Sequence, residues 1–154
     1  MTRRRLILIA GAGSFALLLG AFMFQAIGYA PCQMCLWQRW PHAVAVALAV
    51  VGAFAPRAAV AALGALAAFS TGAIGVYHAG VEWKLWQGPT SCSGNGAGLG
   101  GFSAEGLLDT TIAETVVQCD AIVWSFLGLS MAGWNALLSF GLAAIWLVAM
   151  TRRA

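Results

Sequence analysis

The chain has 154 residues, 61% of them hydrophobic and 8% charged, with a net charge of +3. Soluble domains are nearer half apolar and one quarter charged, so the composition excludes an ordinary water-soluble globule, and so small a basic excess gives no footing for nucleic acid. The length suits a single domain, residues 1–154, and the mean hydropathy of +0.84 points to lipid as its main solvent.

The first element is Leu6 to Ile27, uncharged and about 33 Å long as a helix, enough to cross a bilayer. Basic residues precede it, as in a cleavable signal peptide, but the apolar run exceeds a signal core and Pro31 follows Ala30 directly, so a retained anchor is expected. His42 to Ala55 is short for a span. Extended back to Leu36 it suffices, with Arg39 in its first turn. Ala55-Pro56-Arg57 then makes a tight turn, because proline cannot continue a helix. Ala58–Tyr77 and Ala132–Met150 are two further uncharged runs.

These runs predict an all-α membrane protein, a four-transmembrane-helix bundle with spans at 6–27, 36–55, 58–77 and 132–150. The connection between the third and fourth spans, about 50 residues, exceeds ordinary loops. Within it Gly88–Gly101 is glycine-rich and expected to be flexible, whereas Ser103–Val117 predicts a short amphipathic helix. Trp83, Trp86, Trp124 and Trp134 bracket the connection like an aromatic belt.

Charge sets the orientation. Arg3, Arg4, Arg5, Arg57, Arg152 and Arg153 fall on one side, and only Arg39 and Lys84 on the other. The positive-inside rule places both termini in the cytoplasm and the two odd-numbered loops, the long one included, in the periplasm. Gly96, Gly98 and Gly101 match G-x-G-x-x-G, and Gly11, Gly13 and Ala16 its looser form, but neither follows a strand, so neither reads as a dinucleotide site.

All four cysteines, Cys32, Cys35, Cys92 and Cys119, then lie on the periplasmic side. In an oxidising compartment this even count suggests two disulfides. Cys32-Gln33-Met34-Cys35 is a C-x-x-C, the spacing of a reversible, reactivity-tuned pair. Pro41, acceptable in a first turn, sets the start of helix two near Leu36 or Trp37. Cys35 would sit at that positive helix end with Arg39 four residues on, both favouring a thiolate. A bridge between Cys92 and Cys119 could be a structural staple worth about 3.5 kcal/mol, but an exposed disulfide on a mobile loop is the exchangeable kind. Structural zinc sites show two close cysteine pairs and this chain has one, so no metal is expected.

Three polar residues remain near the membrane. His42 reads as an interface residue, while Arg39 and His78, ionisable groups at helix ends facing a bundle, mark a site.

Phe24-Gln25, the block from Pro31 to Arg39, Tyr77-His78, the pair Cys92 and Cys119, and Phe126-Leu127-Gly128-Leu129 with Met131 together resemble the disulfide-bond formation protein B (DsbB) family, over nearly the whole chain. The resemblance implies an inner-membrane thiol:quinone oxidoreductase of bacteria, embedded in the lipid bilayer. Cys92 would accept attack from a periplasmic DsbA-like thiol oxidase, and Cys119 would exchange with Cys32. Cys35 would pass electrons to ubiquinone or menaquinone from the membrane quinone pool, with Arg39 bonding a quinone oxygen and His78 close by. The stretch Gly94–Gly101 departs from the family's expected loop and bears on partner preference.

Two rivals stand beside this reading. Quinone reductases like the vitamin K epoxide reductases share the helices and cysteine pairs, but their C-x-x-C follows the loop pair, whereas here it comes first. A non-enzymatic, disulfide-stapled membrane scaffold requires Cys32 and Cys35 to be inert.

Overall fold

The apolar runs become helices because a backbone in lipid must satisfy its own hydrogen bonds. A computed structural model describes residues 1–89 and 118–153. Four helices occur, α1 (Arg3–Ala26), α2 (Gln33–Phe54), α3 (Ala58–Glu82) and α4 (Met131–Thr151), with a two-residue hairpin, β1 (Ser125–Phe126) and β2 (Leu129–Ser130), before α4. The hairpin turns at Leu127 and Gly128, with φ of 50° and 80°. Such paired left-handed residues suit the twist of a two-residue connection. The expected amphipathic helix at Ser103–Val117 and the glycine-rich stretch after Pro89 lie outside the described residues.

α1 packs on α2 and α4, and α3 packs on α2 and α4, so the helices close a four-membered ring. α1, α3 and α4 are each long and apolar enough to cross a membrane. α2 is not among them, because Gln38-Arg39 and Pro41-His42 dilute its first half. Leu8, Phe15, Leu19, Leu66, Phe69, Leu137 and Leu147 point outward and are exposed, the distribution of a bundle whose solvent is apolar.

Small residues let the helices approach. A Cβ at Gly64 would lie 2.5 Å from the fully buried Trp146 ring, and one at Gly75 would meet the Ala136 backbone at 3.0 Å. Around Trp146 gather Leu6, Ile7, Ala10, Ala49, Ala65 and Ala149. At this end Arg3 donates to the carbonyls of Pro56, Ala149 and Met150, and its backbone N–H to Arg153, 2.9 Å away. The two chain ends and the Pro56 turn therefore share one end of the bundle.

Two boundaries differ from expectation. α2 begins at Gln33, capped by Cys32, so Pro41 lies in the helix interior rather than its first turn. A membrane helix tolerates such a proline, and a carbonyl in the turn just before it is bonded from outside the helix, the Thr71 hydroxyl donating to Gln38 at 3.0 Å. α3 runs to Glu82, five residues beyond the predicted Tyr77, because His78, Ala79, Gly80, Val81 and Glu82 are all buried.

Candidate active site

The site lies at the end of the bundle opposite the termini. After α1 the chain turns at Gly28, whose φ of 106° suits glycine. Cys32 then caps α2, its Sγ accepting the Cys35 N–H at 3.2 Å. This cap puts the two sulfurs 2.8 Å apart. Both are free thiols rather than the second disulfide suggested by the cysteine count, Cys32 buried and Cys35 partly exposed. Cys119 is disulfide-bonded and packs with Met34 and Val81 against Cys32. Cys92 lies outside the described residues. The hydrogen bond to Cys35, reinforced by burial, holds the proton of Cys32 well above the usual thiol range.

His78 Nε2 lies 3.5 Å from Cys32 Sγ and 3.9 Å from Glu82 Oε1. Its other ring nitrogen ends a chain of amides, buried Gln38 and half-buried Asn135. Gln38 Nε2 donates to the Met34 carbonyl at 3.1 Å and faces His78 Nδ1 at 2.9 Å. Asn135 Nδ2 donates to Gln38 Oε1 at 2.7 Å and to Thr71 Oγ1 at 3.2 Å. Carbonyls can only accept, so the Met34 carbonyl fixes which end of the Gln38 amide donates. His78 Nδ1 must therefore accept, and its Nε2 carries the proton. The same logic puts the proton of His42 on Nε2, 2.9 Å from Asn135 Oδ1. His42 is thus a buried bundle residue, not the interface residue expected.

Arg39 is pinned to α1. Nη1 donates to Gln25 Oε1 at 2.7 Å, Nη2 to the Ala21 carbonyl at 3.3 Å, and the guanidinium stacks on Phe22 at 4.8 Å. Its Nε is buried and has no partner. Arg39, Cys35, Cys32, His42, His78 and Asn135 line a cavity of about 260 Å3 whose other walls are chiefly apolar. This is slightly below the range of about 300–1,000 Å3 that encloses a whole drug-sized ligand, so a single ring fits with an attached tail left outside.

Cys32, Cys35 and His78 also bring ligand atoms within 4.8 Å of one another. Metal coordination would require a lone pair at His78 Nε2, the atom that the amide chain leaves protonated. The arrangement favours proton and electron chemistry over metal binding.

A model of the family described as "Disulfide bond formation protein DsbB" matches residues 3–149. The chain belongs to the DsbB family. Among DsbB relatives, Disulfide bond formation protein B of Azoarcus sp. is 35% identical over 95% of this chain and 92% of its own. Disulfide bond formation protein B 2 of Pseudomonas aeruginosa is 36% identical over 82% and 78%, and the Polaromonas sp. protein 28% over 100% and 94%. No solved structure matches. With its spanning helices, this DsbB-family chain is a multi-pass membrane protein of disulfide bond formation.

The structure brings Cys32, Cys35, Arg39 and His78 around one cavity, with Cys119 packed behind Cys32. Sequence reading singled out neither Glu82 nor Asn135. Glu82 stands four residues after His78, the spacing that puts both on one helix face, and Asn135 is a lone amide in an apolar run; those were the available signals.

Proposed function

We propose that the protein reoxidises a periplasmic DsbA-like dithiol oxidase and passes the electrons to ubiquinone or menaquinone in the bacterial inner membrane. In this reading both termini are cytoplasmic, α2 also crosses the bilayer, and the cysteines face the periplasm. One observation carries it: two thiols 2.8 Å apart share an apolar, ring-sized cavity with an unpartnered arginine N–H.

The partner's thiolate attacks Cys92 of a Cys92–Cys119 disulfide and frees Cys119. Cys119 attacks Cys32 in a Cys32–Cys35 disulfide and releases Cys35 as a thiolate; its packing against Cys32 supports that route. The partner's second thiol then displaces Cys92, leaving the partner oxidised, and Cys92 attacks Cys119, which restores the loop disulfide and releases Cys32. Such exchange needs a thiolate and an accessible sulfur. The helix end and Arg39 stabilise the Cys35 thiolate. Arg39 Nε would offer its hydrogen bond to a quinone oxygen, and His78, Gln38 and Asn135 line the same cavity. A bound quinone supplies a two-electron, two-proton sink.

The test combines purified protein, ubiquinone and a reduced DsbA-like partner, with quinone reduction followed by absorbance. Cys92→Ser and Cys119→Ser should block oxidation of the partner yet leave quinone reduction by a small dithiol partly intact. No quinone reduction by the wild type with either donor rejects the proposal, and equal loss of both activities in the two variants rejects the division of labour.

A further inference from the structure

Glu82 closes the last turn of α3, is 8% exposed, and lines the same cavity as the two sulfurs. Among the described residues around that cavity it is the sole carboxylate. Its Oε2 is buried with no hydrogen-bond partner. Ser130 hydrogen-bonds the carboxylate, and the His78 ring lies beside it.

The imidazole beside it has a single N–H to give on this side. That N–H lies between Cys32 Sγ, at 3.5 Å, and Glu82 Oε1, at 3.9 Å, with the Cys119 backbone carbonyl as a further acceptor for the ring. We propose that Cys32 and Glu82 share one proton, with the His78 N–H turning toward whichever of the two is the anion. When Cys32 is a thiol, the N–H supports the Glu82 carboxylate. When the S–H bond breaks, an O–H bond forms on Glu82, the negative charge moves to sulfur, and the N–H follows it. His78 stays neutral throughout, as its hydrogen bond from Gln38 requires.

This inference rests on the thiol:quinone reading. As the S–S bond of Cys32 and Cys35 forms, two electrons pass to the quinone and the proton parked on Glu82 follows them; Cys35 is already a thiolate, so the second proton of the quinol comes from water. Other groups in these surroundings are Cys35 and Arg39 from α2, and Ser130 before α4. Lys84 and Asp120, farther out, are paired to each other.

The experiment has a readout that needs no quinone. The reduced protein, purified without quinone, is alkylated across pH, and labelling of Cys32 is followed by mass spectrometry. Two groups sharing a proton titrate in two steps that belong to the pair. With Cys35 changed to Ser throughout these profiles, so that its thiol 2.8 Å away adds no step, the protein with Glu82 should show a two-step profile and Glu82→Gln a single step, with Glu82→Asp restoring two. In turnover with ubiquinone and Cys35 in place, Glu82→Gln should be slower by about tenfold or more at neutral pH. Its KM for quinone should hold, and its rate should recover in alkali as hydroxide takes the thiol proton. A single-step profile with Glu82 present, or wild-type turnover in Glu82→Gln at neutral pH, overturns the proposal. If Glu82→Gln fails to fold, the Glu82 and Glu82→Asp profiles still decide it. A two-step Glu82 profile beside a wild type that reduces no quinone leaves the shared proton standing and removes the thiol:quinone reading instead.

Discussion

The two ends of this bundle are built on opposite principles. The cluster of ten residues centred on Trp146, seven of them alanines, packs with no hydrogen-bonded side chain among them. Around Cys32 the same helices carry two linked amides, two imidazoles, a guanidinium and a carboxylate, most of them joined in hydrogen-bonded chains. The first end tolerates little change of volume and is indifferent to chemistry; the second should behave the other way round. Lipid explains why both are needed. Close packing holds helices together where no hydrophobic drive exists between them, and buried polar groups in such a setting mark function.

The largest effect should come from Cys35→Ser, which removes the sulfur that faces the cavity. Quinone reduction falls to background while the thermal unfolding midpoint stays near wild type; a large drop in that midpoint would make the polar end structural. Next comes Arg39→Ala. A charge-assisted hydrogen bond contributes about 1.5–3 kcal/mol, or roughly tenfold to hundredfold in affinity or turnover. Arg39→Lys should recover only part, because an ammonium cannot reproduce a planar fork held on Gln25 and Ala21. An unchanged KM for quinone across the three proteins would take Arg39 out of the site.

At the packed end, Gly64→Val drives a side chain into the Trp146 ring and should cost about 1–3 kcal/mol of stability. Its KM for quinone should match wild type, and a change there would show that the two ends are coupled. The smallest effect is at Asp120→Asn. The hydrogen bond from Lys84 holds the Asp120 carboxyl below its ordinary value of 3.8. The pair's contribution is therefore complete above that value and lost as pH falls through the lower folded one. Exposed pairs of this kind contribute about 0–1 kcal/mol. Unfolding of wild type and variant should differ slightly at neutral pH and converge in acid.

What could be seen in the sequence follows the same division. Helices α1, α3 and α4 were legible because uncharged runs of bilayer length have few other fates. The start of α2 was not, since Pro41 signals a first turn when nothing shows that Thr71 will bond the turn before it from outside the helix. The C-x-x-C and Arg39 were legible because their spacing lies within one helix. The chain from His42 through Asn135 and Gln38 to His78 was hidden, because it depends on the rotation of three helices about their axes. Glu82 lies beyond the predicted end of the third span at Tyr77, and only the extra turn of α3 brings it to the cavity of the sulfurs.

The contact between the two chain ends has a consequence for the order of the cysteine pairs. The Arg3 N–H meets the Arg153 carbonyl at 2.9 Å, and the Arg3 side chain reaches Pro56 in the turn between α2 and α3. Ends this close can be joined by a short linker and the chain reopened at that turn, as circular permutation allows. The permuted chain would read α3, the loop pair, α4, α1 and finally the C-x-x-C with α2, and each helix would keep its neighbours. The order of the pairs along the chain, which separates this family from its reductase rival, is a matter of where the ring of helices is cut. The ring itself is indifferent to it.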